Sequence, residues 1–193
     1  NFKGLFGYIT RDGIVRNVNV VYDASTITHL YSRFGGIAYF SAGEIDNVSV
    51  TFKQDIKAEQ LGGISAVNSG IISNSEVVVG GDVSVMLSGY ATAQANASVG
   101  GIVGTNASNG LISNVKVLIK ADSSLNARAV SGTAYSGGVA GLNTGRVYLA
   151  DVQIRGVIVA ESQGSAYSGG VIGNSSGSCT RVFVTVADRG MIG

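Results

Sequence analysis

Glu44 and Asp46 stand two residues apart, and Arg16 precedes them at an equivalent point of the chain. This trio is the nearest approach to an acid–base site. A carbohydrate-cleaving centre needs two or three carboxylates, or carboxylates with Lys or Arg, converging on one face. Glu44 and Asp46 share a face, but their expected neighbours (Val15 or Ile14 on one side, Ile71 or Ser73 on the other) supply no third acid. Asp151, Glu76 and Asp82 are each isolated among neutral residues. His29 is the single histidine, in a stretch between apparent repeats, and reads as a surface residue. Cys179 is the single cysteine, so a disulfide framework and a cysteine-built zinc site are excluded. It falls where related stretches place Ile14, Ile45, Ile72, Ile112 and Val147, and reads as a small core hydrophobe rather than a nucleophile. Calcium-binding repeats would set Asp at a fixed place in each glycine-rich turn; here that place holds Asn, Ser or Ala. No glycine-rich turn ends in Lys-Ser or Lys-Thr before a helix, so none reads as a phosphate loop. The expectation is a non-enzyme with no catalytic residue, no cofactor and no metal.

Composition agrees. Of 193 residues, 29 are Gly and none is Pro, and only 13% are charged. Thirteen basic against twelve acidic residues leave a net charge of +1, which gives no electrostatic footprint for nucleic acid. No apolar run has the length of a membrane helix, and no basic-then-apolar leader opens the chain.

Whatever the side chains do must be positioned by repetition. Gly35-Gly36-Ile37, Gly62-Gly63-Ile64, Gly100-Gly101-Ile102, Gly137-Gly138-Val139 and Gly169-Gly170-Val171 are copies of one motif, with a weaker first copy at Gly4 and a beginning seventh at Gly190. The second glycines, at 4, 36, 63, 101, 138 and 170, are 27 to 38 residues apart. The repeats run approximately 3–34, 35–61, 62–99, 100–136, 137–168 and 169–188, with the start of a seventh at 189–193. Each motif leads into a stretch of strict alternation, as in Asn47-Val48-Ser49-Val50-Thr51-Phe52 and Asn114-Val115-Lys116-Val117-Leu118-Ile119. Across six such segments the even positions are apolar except Ser75 and Gly156. Period two means strands with one buried face. The small-residue stretches 89–98, 121–136 and 160–168 read as third strands or as excursions.

One repeat cannot bury its own valine face; stacked repeats can. The fold expected is therefore all-β, a β-solenoid of the parallel β-helix type with about six coils. A β-sandwich explains the alternation but not the returning motif. The glycines would sit where the chain turns with positive φ or where backbones approach closely. Asn17, Asn47, Asn74 and Asn114 open successive strands and would form a structural ladder, broken by Asp151 and Arg181 in the last two full repeats.

The pattern Gly-Gly-Ile-Val-Gly-x-Asn-x-x-x-Gly-x-Ile-x-Asn at residues 100–114 resembles the GLUG repeat. The copies starting at Gly137 and Gly169 match its first half, whereas the first repeat lacks the glycine pair and the third has Ala66 where Gly is expected. That motif occurs in large surface or secreted proteins, among them filamentous-haemagglutinin-like adhesins and the non-catalytic regions of immunoglobulin-A-cleaving metallopeptidases. The resemblance implies a solenoid segment of a longer surface protein and transfers no catalytic residue.

Function is then sought on the surface. Val78 and Leu118 point outward in adjacent coils, with Phe183 a third outward hydrophobe, and together they form a candidate interaction patch. Ice binding would need a threonine array that Thr51 and Thr185 alone do not make. Among four Asn-x-Ser sequences, Asn96 and Asn106 lie in loop-like stretches and are the accessible candidates for glycosylation. The expected role is a non-catalytic structural or adhesive segment, extracellular or cell-surface, acting as a spacer or binding rod. Its partners would be a protein or glycan receptor, or itself by end-to-end stacking, with no nucleic acid and no membrane insertion. The alternatives are a filament-forming or protein-binding module using the outer apolar patch, and a carbohydrate-active β-helix using Glu44, Asp46 and Arg16.

Overall fold

The computed structural model describes residues 4–23, 31–81, 83–92, 94–187 and 189–193. His29 and Asp82 lie outside the described residues. The chain is all-β: strands and turns, with no helix among the described residues. Every strand pairing there is parallel. Three sheets result, and each repeat visits them in turn. The first sheet has the spatial order β1 (Phe6–Ile9), β4 (Ala38–Ser41), β7 (Ser65–Asn68), β11 (Val103–Asn106), β15 (Ala140–Asn143) and β19 (Ile172–Ser175). The second has the order β2 (Ile14–Tyr22), β5 (Glu44–Phe52), β8 (Ile71–Val79), β12 (Leu111–Ile119), β16 (Arg146–Ile154) and β20 (Ser178–Val186).

The third sheet explains the elastic period. It begins with β3 (Tyr31–Gly35) on β6 (Ile56–Gly62). The start of β6 pairs with β9 (Met86–Ala91) and its end with β10 (Ala97–Gly100). From there the wall is divided: β13 (Ser124–Ala129) and β14 (Thr133–Gly137), then β17 (Val157–Ser162) and β18 (Ser165–Gly169), with β21 (Met191–Ile192) on β17. The repeat with the undivided β6 is the short one. The small-residue stretches are third-sheet strands, and the extra residues sit in the turns that divide them.

The glycine motif is fixed by close approach. Gly35, Gly62, Gly100, Gly137 and Gly169 stack in register. A Cβ on Gly100 would run into the Val103 carbonyl of its own corner, and one on Gly101 into the Gly138 carbonyl of the next repeat. None of these glycines has positive φ; among the described glycines only Gly4 and Gly80 do. Of the two reasons the sequence left open for the motif, close backbone approach is the one found. The fifth motif position serves a different contact: a Cβ on Gly141 would meet the backbone of Tyr135 and Val99, where the first sheet lies against the third.

Positive φ falls instead on a column of the second sheet: Asn17 (58°), Asn47 (52°), Asn74 (49°), Asn114 (51°), Leu149 (57°) and Arg181 (55°). Asn tolerates this left-handed conformation better than most residues. One such residue inserted into a strand puts two consecutive side chains outside and then restores the alternation. Thus Ile112 is buried, Ser113 and Asn114 face out, and Val115, Val117 and Ile119 face in. The register corrects the alignment of the fifth repeat. Leu149, not Asp151, continues the asparagine column, because Val115 pairs with Ala150 and Lys116 with Asp151. Gly156 accordingly lies beyond the strand, and Val15 rather than Ile14 heads the buried column of Ile45, Ile72, Ile112 and Val147. Ser75, the remaining exception to the alternation, is buried with its hydroxyl satisfied. It donates to the Ser73 carbonyl (2.5 Å) and accepts from the Val48 amide (3.2 Å).

Aromatic residues fill the core near the first repeats. Tyr22 stacks on Phe52 with centroids 5.2 Å apart and meets Phe34 edge-on at 5.6 Å. Its hydroxyl donates to the Gly36 carbonyl at 2.6 Å. Burial pushes the Tyr22 hydroxyl up to about 12. Its neutral form therefore stabilises the fold fully below pH ~10, and that contribution is lost as pH rises from there through about 12. Urea midpoints measured from neutral to strongly alkaline pH are expected to fall across that window. Tyr22→Phe is expected to fall less steeply there.

Candidate functional site

The exposed asparagines form a partial ladder. Asn47 Nδ2 donates to Asn17 Oδ1 at 2.7 Å, and Asn114 Nδ2 to Asn74 Oδ1 at 2.7 Å. The link between the two pairs is different: Asn74 Nδ2 donates to Asp46 Oδ1 at 2.8 Å, leaving Asn47 aside. The column ends in Leu149 and Arg181, where Arg181 Nη1 donates to the Tyr148 hydroxyl at 2.7 Å.

A second asparagine column, not anticipated from the sequence, is buried. Asn68, Asn106 and Asn143 occupy the last position of β7, β11 and β15 in register and have no exposed surface. Asn68 Nδ2 donates to Asn106 Oδ1 (2.9 Å), Asn106 Nδ2 to Asn143 Oδ1 (2.8 Å), and Asn143 Nδ2 to the Ser175 hydroxyl (3.0 Å). The same amides reach the carbonyls of Gly70, Gly110 and Gly145, so each rung also closes the corner between first and second sheets. Asn106 is therefore not an accessible glycosylation site: its amide nitrogen is enclosed and engaged. Asn96 is exposed at the end of a third-sheet turn, its Oδ1 accepting from the Thr133 amide at 2.8 Å. A signal for the buried column was available. Asn stands six residues after the first glycine in three copies, with Ser41 and Ser175 at that place in two others.

Arg16, Glu44 and Asp46 do come together on the outer face of the second sheet. Arg16 Nη2 lies 2.7 Å from Glu44 Oε1, and Arg16 Nε lies 3.9 Å from Asp46 Oδ2. Hydrogen bonds from Asn74 and Ser73, with the Arg16 charge, hold the Asp46 carboxyl below its ordinary value. Glycoside hydrolysis with two carboxyls needs one of them kept protonated. The environment of Asp46 works in the opposite direction, and Glu44 is committed to an ion pair. The cluster is a solvent-facing lattice of charges and amides. Among the described residues no group of three or more His, Cys, Asp and Glu side chains assembles that could hold a metal ion.

The outer hydrophobes separate into two places. Val78 and Leu118 are in-register neighbours and half-buried, flanked in their column by Thr51 and Gln153. Phe183, 62% exposed, pairs with Asp151 in a different column and is not continuous with them. The single three-residue patch expected from the sequence is thus corrected to a pair and a separate phenylalanine. Cys179 continues the buried column of Val147 but is exposed in the last repeat, and its thiol is pushed up by partial desolvation.

Nearly every recurring residue is therefore accounted for by packing of repeat on repeat. A scan against protein-family models, a search of curated proteins and a search of solved structures each returned no match to this chain.

Proposed function

We propose that this chain is a β-solenoid of the parallel β-helix type, a single repeat domain of a longer GLUG-like surface protein. It acts without catalysis, as a rigid spacer or binding segment outside the cell. The observation that carries the reading is the use of the motif. Its first two glycines serve the corner and the approach of the next repeat, and its asparagine the buried ladder. A sequence spent this way makes a stacked scaffold whose length is set by repeat number.

Small-angle scattering tests the reading. A variant in which residues 62–168 are duplicated in tandem adds three repeats. It is expected to lengthen the particle by about 15 Å, from a strand spacing of ~4.8 Å, at unchanged cross-section. A cross-section that grows instead would overturn the scaffold reading.

A further inference from the structure

The turns that divide the third sheet all fall on one side of the molecule, and beside them runs an open groove of about 420 Å³. Its floor is a column in register, Tyr90, Arg128 and Glu161, and its wall carries Val130, Ser162 and Gln163. We infer that this groove is a binding site for a neutral glycan chain lying along the stack. The proposal rests on the scaffold reading above and names the ligand class for one of its faces.

The side chains fit that ligand in kind. Tyr90 is half-buried, with Lys57 Nζ 4.5 Å from its ring centroid, so the ring is held in place while lining the groove. An aromatic ring offers a sugar's C–H face a flat apolar surface, here on the face that Lys57 does not cover. Arg128 Nε stands 3.9 Å from Glu161 Oε2, and both side chains are more than half exposed. Such a pair contributes little to stability. It presents a planar fork of donors beside a two-oxygen acceptor, which suits vicinal hydroxyls that both donate and accept. Among the described residues the Tyr90 hydroxyl, the terminal nitrogens of Arg128 and the Gln163 amide have no hydrogen-bond partner. The two charged residues that line the groove, Arg128 and Glu161, balance each other, so the lining selects neither an acidic nor a basic polymer. Insertions that gather on one face of a repeat stack are where such proteins build binding surfaces.

The test is a titration of the ¹⁵N-labelled chain with a neutral hexasaccharide, cellohexaose, and separately with hexagalacturonate, each up to about 10 mM, since ΔG near −4 kcal/mol corresponds to a Kd of 1 mM. The expected result is amide shifts confined to strands β9, β13 and β17 and their turns, with cellohexaose binding more tightly than hexagalacturonate. Arg128→Gln, a change at an exposed side chain, is expected to weaken binding about tenfold. Tyr90→Ala is expected to abolish it, and Lys116→Gln on the second sheet to leave it unchanged. Absence of shifts with cellohexaose, shifts centred elsewhere, tighter binding of the acidic oligomer, or an unaffected Arg128→Gln variant would overturn the proposal. Scattering on the same samples reports the scaffold independently, so loss of binding with an intact stack refutes the groove alone.

Discussion

Gly101→Ala is expected to destabilise the chain by about 3 kcal/mol or more, at the top of the range for overpacked sites. The new methyl would be driven into the Gly138 carbonyl, and its next neighbour is Val117 Cγ1 at 2.6 Å. Neither can give way cheaply. The backbone there is held by the Gly101 amide on the Gly137 carbonyl and by the Ile102 and Val103 amides on the Val139 carbonyl. Val117 is in the buried face of β12. Gly7 is the comparison, because a Cβ there meets nothing within 4 Å. Gly7→Ala is expected to be neutral or stabilising by about 0.5 kcal/mol. Urea unfolding of the two variants decides the matter; equal stabilities would mean that the glycines are not set by close approach.

Asn106→Leu is expected to cost about 1–3 kcal/mol, the range for leaving one buried polar group, Asn143 Oδ1, without a partner. The substitution keeps the branching and the number of heavy atoms, adds bulk, and removes a donor and an acceptor. Asn143 Oδ1 loses its donor, the Gly110 carbonyl loses its side-chain partner, and Asn68 Nδ2 keeps only the Gly70 carbonyl. Asn106→Ser is expected to cost roughly half as much, since Ser175 serves as the last rung of the same column. The ordering of the two urea midpoints is the readout. A leucine variant as stable as the parent would show that the amides are dispensable to the corner.

The strands of the second sheet were legible because each buries one face, so their valines and isoleucines alternate with polar residues. The asparagines were legible as a recurring column, but their place inside the strands at positive φ was not, because the alternation becomes regular only after them. Leu149 was not legible. A leucine in the left-handed region costs ~1–2 kcal/mol, nothing in its type announces the position, and the alternation alone points to Asp151 instead. The buried Asn106 was hidden by its context. Asn-Ala-Ser between small residues reads as an exposed turn, and only alignment of β7, β11 and β15 shows an amide enclosed by its own copies. Division of the third sheet was also out of reach, since Ala, Ser and Gly mark neither face of a strand. The groove depends on that division, so the candidate binding face was the part least visible in the sequence.

The parallel pairing has a mechanical corollary. Each repeat is joined to its neighbours by ladders running across the stacking direction, so tension drawn along the stack from its two ends loads the outermost ladder first. Repeats then peel off singly, each releasing its own 27 to 38 residues, or up to about 90–135 Å of extended chain at 3.3–3.6 Å per residue. The turns dividing the third sheet set that step length, so the same variation that shapes the groove also grades how far the stack yields under load.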